Sequence, residues 1–268
     1  MAMTNGHLVW ADGKQVANTP SSDFWNDAEK ESCKPYDIRD GNVDKLWRYL
    51  RDSTTYLSEF EAVLGFAREL DVPVRGTGID VAAGVCWTTG LLSKIGTVEK
   101  LYALDFSRHR LLTLAPLVLK AFEAHEEKII RVLGSFYEVR LPDASVDFCL
   151  MCQAFHHADD PRRLLNELAR ILRPRGSILM IGENPIYPSQ LLKKRMSNYL
   201  KMVAPQSYYL AKPVYRWWPR FRDLFPSSVE SGDHYYQFCD YAKIFEECGF
   251  VLHSQRREGY TVFLGDRN

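Results

Sequence analysis

The chain has 268 residues, with 34 basic and 34 acidic side chains, so its formal net charge is zero when histidine is neutral. A hydrophobic share of 46% and a charged share of 25% exclude a disordered or collagen-like chain. Neutrality argues against a dedicated nucleic-acid binder, and six scattered cysteines are too few for a disulfide scaffold at this length. No apolar run approaches the ~20 residues that span a bilayer. The N-terminus lacks the apolar stretch of a secretory signal, so a reduced, cytoplasmic setting is expected.

Residues 1–55 are polar and rich in turn formers such as Asn5-Gly6 and Asp40-Gly41. They also carry Trp10, Trp25, Tyr36 and Trp47, more aromatic mass than a solvated tail needs, so they read as a cap packed on the core. Residues 56–268 read as the main domain. Leu57, Phe60, Val63, Leu64 and Ala67 recur at three and four, which predicts an amphipathic helix from about Tyr56 to Leu70. Short apolar strands follow at 78–83, 101–105, 128–133, 146–151 and 177–181. Helices separate them, including one from Gly84 onward, a leucine-rich one ending near Ala124, and one over 161–172. Continuously apolar strands alternating with helices imply a parallel sheet covered on both faces. Residues 249–252 and 260–264 read as a terminal antiparallel pair. Cys149 and Cys152 make a C-x-x-C, but an odd separation sends them to opposite faces of a strand, so they read as core cysteines and no metal is expected.

In a doubly wound sheet, ligands bind beyond the carboxyl ends of the strands. The first strand-to-helix turn runs from Asp80 through Ala82, Ala83 and Gly84 to Cys86 and Trp87. A dinucleotide fingerprint needs glycine where Trp87 stands, and Gly76-Thr77-Gly78 precedes the strand instead of following it. The turn instead resembles motif I of the class I S-adenosylmethionine-dependent methyltransferases, D-x-G-x-G-x-G, in a type 11-like form. Asp80 stands at the acid, Gly84 keeps the central glycine, and Ala82 and Cys86 replace the outer ones. Further motifs follow in register: Asp105 with Phe106 after the second strand, Gly134-Ser135-Phe136 after the third, and residues 141–147. Phe155-His156-His157 with Asp160-Pro161, and residues 172–176, complete the run.

The resemblance implies an α/β fold, a doubly wound, mostly parallel seven-stranded Rossmann-like sheet ending in an antiparallel pair, and S-adenosylmethionine as cofactor. It implies cofactor contacts at Asp80, Ala82, Ala83, Gly84, Cys86, Asp105, Phe106, Ser135, Phe136 and Gln153. Asp105 would hold the ribose, since a carboxylate accepts two hydrogen bonds from a vicinal diol.

Methyl transfer to oxygen usually needs a general base, and histidine suits neutral pH. The candidates for catalysis are His157, Glu183 and His234, with His156, Asp233 and Tyr235 beside the acceptor. The competing reading makes the histidine pair a fold feature and Asp233 a plain helix N-cap. Residues 185–232 form an insertion on the substrate side. Its stretch 185–222 holds Lys193, Lys194, Arg195, Lys201, Lys212, Arg216, Arg220 and Arg222, interleaved with tyrosines and tryptophans, and no acid. This suits an anionic or carrier-linked acceptor, with peripheral membrane contact as the alternative, or a solvated lid. Nucleic acid is disfavoured. The expected activity is methylation of a small or carrier-linked molecule, O-methylation of a sugar or secondary metabolite first, with a non-catalytic binding or regulatory protein as the alternative.

Overall fold

In the computed structural model, the residues described are 3–4, 7–10, 24–25, 27, 34, 36–203, 213–214, 216–229 and 231–267. Among the described residues, nine strands form one sheet: β1 (Met3–Thr4), β2 (His7–Val9), β3 (Gly76–Val81), β4 (Val98–Asp105), β5 (Ile129–Leu133), β6 (Val146–Cys152), β7 (Leu172–Ile181), β8 (Val251–Arg257) and β9 (Tyr260–Asp266). Their order is β1-β2-β5-β4-β3-β6-β7-β9-β8. Strands β5, β4, β3, β6 and β7 are parallel, and β9 enters antiparallel to β7 and β8. The seven strands expected from the sequence are present. Two more were not foreseen: β2 pairs in parallel with β5, and β1 pairs with β2. Both are too short to show a period.

Helices cover the two faces. They are α1 (Asp44–Arg48), α2 (Tyr56–Glu69), α3 (Trp87–Ser93), α4 (Ala115–Ala121), α5 (Pro161–Ile171), α6 (Pro188–Val203), α7 (Phe221–Leu224) and α8 (Phe238–Glu247). Helix α5 begins where Asp160 accepts from the Arg163 amide and Pro161 occupies the first turn, a strong start signal. One core cluster joins α5 and α8 to the sheet through Leu164, Leu168, Ile244 and Phe245. The other joins α2 to the opposite face through Phe60, Val63 and Ala67, and takes in Ile38, Leu46 and Leu50. Cys149 lies in the first cluster, whereas Cys152 packs against the second, as their odd spacing requires.

The chain runs β3 to β4 to β5 in one direction, then crosses back to β6 and β7 on the other side of β3. That reversal opens a crevice at the carboxyl ends of β3 and β6, where open α/β sheets bind ligands. Among the described residues, no helix is long and apolar enough to cross a membrane.

Candidate active site

A cavity of about 900 Å³ occupies this crevice. It is lined by the loops after β3, β4, β5 and β6, by Ser231, Asp233, His234 and Tyr235, and by Phe24 and Trp25. Its size is at the upper end of the roughly 300–1,000 Å³ usual for small-molecule sites.

On one side stands the turn after β3. Ala82, Gly84 and Cys86 all adopt positive φ, at 57°, 54° and 63°. These are the three positions where the resembling motif carries glycine, so the backbone path is kept although two of the residues bear a Cβ. Asp105 locks that path: Oδ2 accepts the Gly84 amide at 2.7 Å and Oδ1 accepts the Ser107 amide at 2.6 Å. Each oxygen retains a lone pair for a ligand hydroxyl. Burial pushes the Asp105 carboxyl upward, against the pull of those two amides.

Of the expected cofactor contacts, Ala82, Ala83, Gly84, Asp105, Phe106, Ser135, Phe136 and Gln153 line the cavity. Asp80 and Cys86 do not. Asp80 is fully buried below the turn, where Oδ2 accepts the hydroxyls of Thr88 and Thr89 at 2.6 and 2.5 Å. Burial raises its carboxyl to about 6. It ties β3 to the first turn of α3. Cys86 points into a small apolar cluster with Ala103, Leu111, Ala115 and Leu119, so it supports the turn from beneath.

Across the cavity, Glu183 is only 2% exposed and does not line the cavity, contrary to the expectation of a catalytic role there. Its Oε1 accepts the amides of Ala154 and Phe155 at 3.1 and 3.0 Å. Its Oε2 accepts the Tyr241 hydroxyl at 3.1 Å and lies 3.0 Å from His156 Nδ1. Burial opposes charge on His156, but Glu183 outweighs it and raises the imidazole's proton affinity. Burial likewise opposes charge on Glu183, and His156 with Tyr241 brings its carboxyl below the ordinary range. Each partner thus favours the charged form of the other.

His157 and Asp233 do face the cavity together. His157 Nδ1 lies 3.1 Å from Asp233 Oδ1, and Ser231 Oγ donates to Asp233 Oδ2 at 2.6 Å. His157, then burial opposed by Ser231, leaves the Asp233 carboxyl well below its usual range. Asp233 is not the N-cap of α8; Gln237 is. His234 lines the cavity, but its ring nitrogens contact Ser227 Oγ and Asp159 Oδ1, and its amide donates to the His156 carbonyl. That makes His234 a brace for the loop. Tyr235 lines the cavity and is 47% exposed. His156, His157 and Asp233 offer ligand atoms within 4.8 Å of one another, a spacing that could hold a metal ion, although none was expected. Glu183 engages His156 at Nδ1, which leaves Nε2, 3.9 Å from Asp233 Oδ1, as the atom that would face such an ion.

Trp25 was seen in the sequence only as packing mass. Its carbonyl accepts from Ser107 Oγ at 2.7 Å, its indole donates to the Ser231 carbonyl at 2.9 Å, and its ring meets His157 edge-on at 5.3 Å. It therefore bridges the two sides. Gln153, at φ 52°, donates from Nε2 to the Tyr56 hydroxyl. Neither link carries a local sequence signal, because the partners are 82 to 206 residues apart for Trp25 and 97 apart for Gln153.

Residues 79–180 match the family described as a methyltransferase domain. The chain is 25% identical over 150 residues to a demethylmenaquinone methyltransferase of Geobacillus stearothermophilus, covering 52% of this chain and 63% of that protein. It is 26% identical over 196 residues to a mitochondrial ubiquinone biosynthesis O-methyltransferase of Dictyostelium discoideum, covering 70% of this chain and 58% of that one. The chain thus spans about three fifths of the length of these relatives. In structure it resembles an S-adenosylmethionine-dependent methyltransferase from Aquifex aeolicus, with a TM-score of 0.53, 18% identity, and coverage of 90% of this chain and 97% of that one. The likeness in structure is one of fold.

Proposed function

We infer that this chain is a class I S-adenosylmethionine-dependent methyltransferase that methylates an oxygen of a small or carrier-linked acceptor, with His157 as general base. The observation that carries the reading is the His157–Asp233 contact of 3.1 Å in the same cavity as Asp105. When bound, S-adenosylmethionine supplies an electrophilic methyl group on a positively charged sulfur. The donor set fits this cofactor: a buried carboxylate with spare lone pairs for a ribose diol, and Ser135 and Phe136 placed for a base.

The two histidines divide the work. Glu183 engages His156 Nδ1 and favours that ring's protonated form, so His156 is the less suited of the two to accept a proton. His157 contacts Asp233 instead, which would steady the imidazolium formed when His157 Nε2 takes the acceptor's hydroxyl proton. Asp233 is the positioning residue, and Ser231 orients it. The relative named as an O-methyltransferase supports oxygen as the acceptor atom; a sugar or secondary metabolite remains the acceptor class favoured by the resemblance.

The test uses a panel of phenolic and sugar hydroxyl acceptors, with S-adenosylhomocysteine release as the readout. His157→Ala should lose about a hundredfold or more in kcat, the usual range for a general base, with unchanged cofactor affinity by calorimetry. Asp233→Asn should lower kcat less and shift the pH profile. Full turnover by His157→Ala at saturating acceptor would overturn the assignment.

A further inference from the structure

The basic, aromatic insertion is not used by the chemistry above. Between residues 185 and 229 the sequence holds eight basic residues and one acid, Asp223. Helix α6 faces the protein with Leu191 and Asn198, whose side-chain amide bonds both the amide and the carbonyl of Val214. Its opposite face is apolar and open to solvent. Leu192 is 51% exposed, Met196 59%, Tyr199 40%, Leu200 49% and Val203 57%. At about 100° per residue, the spacing of 192, 196, 199 and 203 puts those four side chains on one stripe, with Lys193 and Arg195 on its two flanks. A stripe on these residues would also suit a core-facing helix; here it faces outward.

The neighbouring segment extends the patch. Trp217, 77% exposed, meets Tyr199 edge-on at 5.3 Å, and Arg195 stacks over Trp218 at 4.4 Å. Asp223 engages Arg216 and Arg220. Among the described residues, no carboxylate pairs with Lys193, Lys194 or Arg222. The patch also abuts the acceptor side of the cavity. Lys194 lies over Phe225 at 5.9 Å, and Phe225 meets Tyr235, which lines the cavity.

We propose that this face docks on an anionic lipid bilayer, with α6 lying in the interface and its apolar stripe entering the headgroup boundary. Exposed leucine, methionine and paired tryptophans flanked by lysine and arginine match that boundary in both polarity and charge. A soluble anion accounts for the charge and leaves the apolar stripe unexplained. A second copy on the same face would set two strongly basic surfaces against each other.

The test is sedimentation of the full chain with phosphatidylcholine vesicles, with and without phosphatidylglycerol. Binding should require phosphatidylglycerol and should weaken by about tenfold or more as salt rises, since each surface cation contributes about a factor of five. Two variants separate the contributions: Met196→Asp with Trp217→Ser, and Lys193→Glu with Arg195→Glu. Each should reduce binding by about tenfold or more while thermal stability and S-adenosylmethionine affinity stay unchanged. No binding to either vesicle, or variants that bind like the parent, would overturn the proposal. So would a dimer in light scattering that Met196→Asp dissociates, or tighter binding to single-stranded nucleic acid than to anionic vesicles.

Discussion

The two sides of the cavity are built differently. The side proposed for the cofactor consists of strand ends: residues 82–86, 105–107 and 134–136 leave β3, β4 and β5 in turn, and short hydrogen bonds join them, as from Gly84 to Asp105. The side proposed for the acceptor is assembled from distant pieces. Glu183 gathers the amides of 154 and 155, the His156 ring and the Tyr241 hydroxyl; Asp233 meets His157, and Trp25 meets Ser231. A parallel sheet positions the first side by topology alone. The second depends on a buried charged hub, so single substitutions there should act on the fold as well as the chemistry.

The largest effect should come from that hub. Glu183→Ala removes the acceptor for two backbone amides and leaves His156 without its counter-charge. A loss of about 3–5 kcal/mol is expected in denaturant unfolding. A loss below about 1 kcal/mol would mean the two sides are equally robust.

Asp80 gives the contrasting case beneath the cofactor turn. Its folded value of about 6 exceeds the ordinary 3.8. The folded state then binds the proton more tightly than the unfolded one, so stability should fall as pH rises from about 4 to about 6, by about 3 kcal/mol. Asp80→Asn should flatten that slope. An unaltered pH profile in the variant would place the titration elsewhere.

Asp105→Ala should weaken S-adenosylmethionine binding by about tenfold or more in calorimetry, since charge-assisted hydrogen bonds contribute about 1.5–3 kcal/mol each. Acceptor-side changes such as Asp233→Asn should leave that affinity alone. Equal losses from both would show that the two sides are coupled.

The smallest effect probes the strained turn. Ala82→Gly relieves a left-handed backbone at φ 57° and should raise stability by under ~1 kcal/mol, read as a higher urea midpoint. A lower midpoint would mean that the Ala82 methyl group contributes more packing than its backbone loses in strain.

Much of the strand-end side of the cavity was legible in the sequence because its signals are local. Apolar runs mark β3 to β7, and the residues just past their ends line the cavity whenever the turn points upward, as Gly84, Asp105 and Ser135 do. Asp80 and Cys86 belong to the same motif, but their side chains point down into the core, a direction that residue order does not reveal. The strands β1 and β2 escaped notice because two or three residues carry no periodicity.

The sequence by itself therefore determined the strand order's raw material, the class of turn after β3, and the presence of two histidines at the end of β6, where the cavity opens. Only the tertiary structure decided their partners. Burial and a 3.0 Å contact made His156 the partner of Glu183 and left His157 to Asp233, and packing of Leu191 and Asn198 turned the remaining stripe of α6 toward solvent. The physical reason is range: hydrophobic period and turn chemistry act over a few residues, whereas desolvation and charge pairing depend on groups that the chain brings together from far apart.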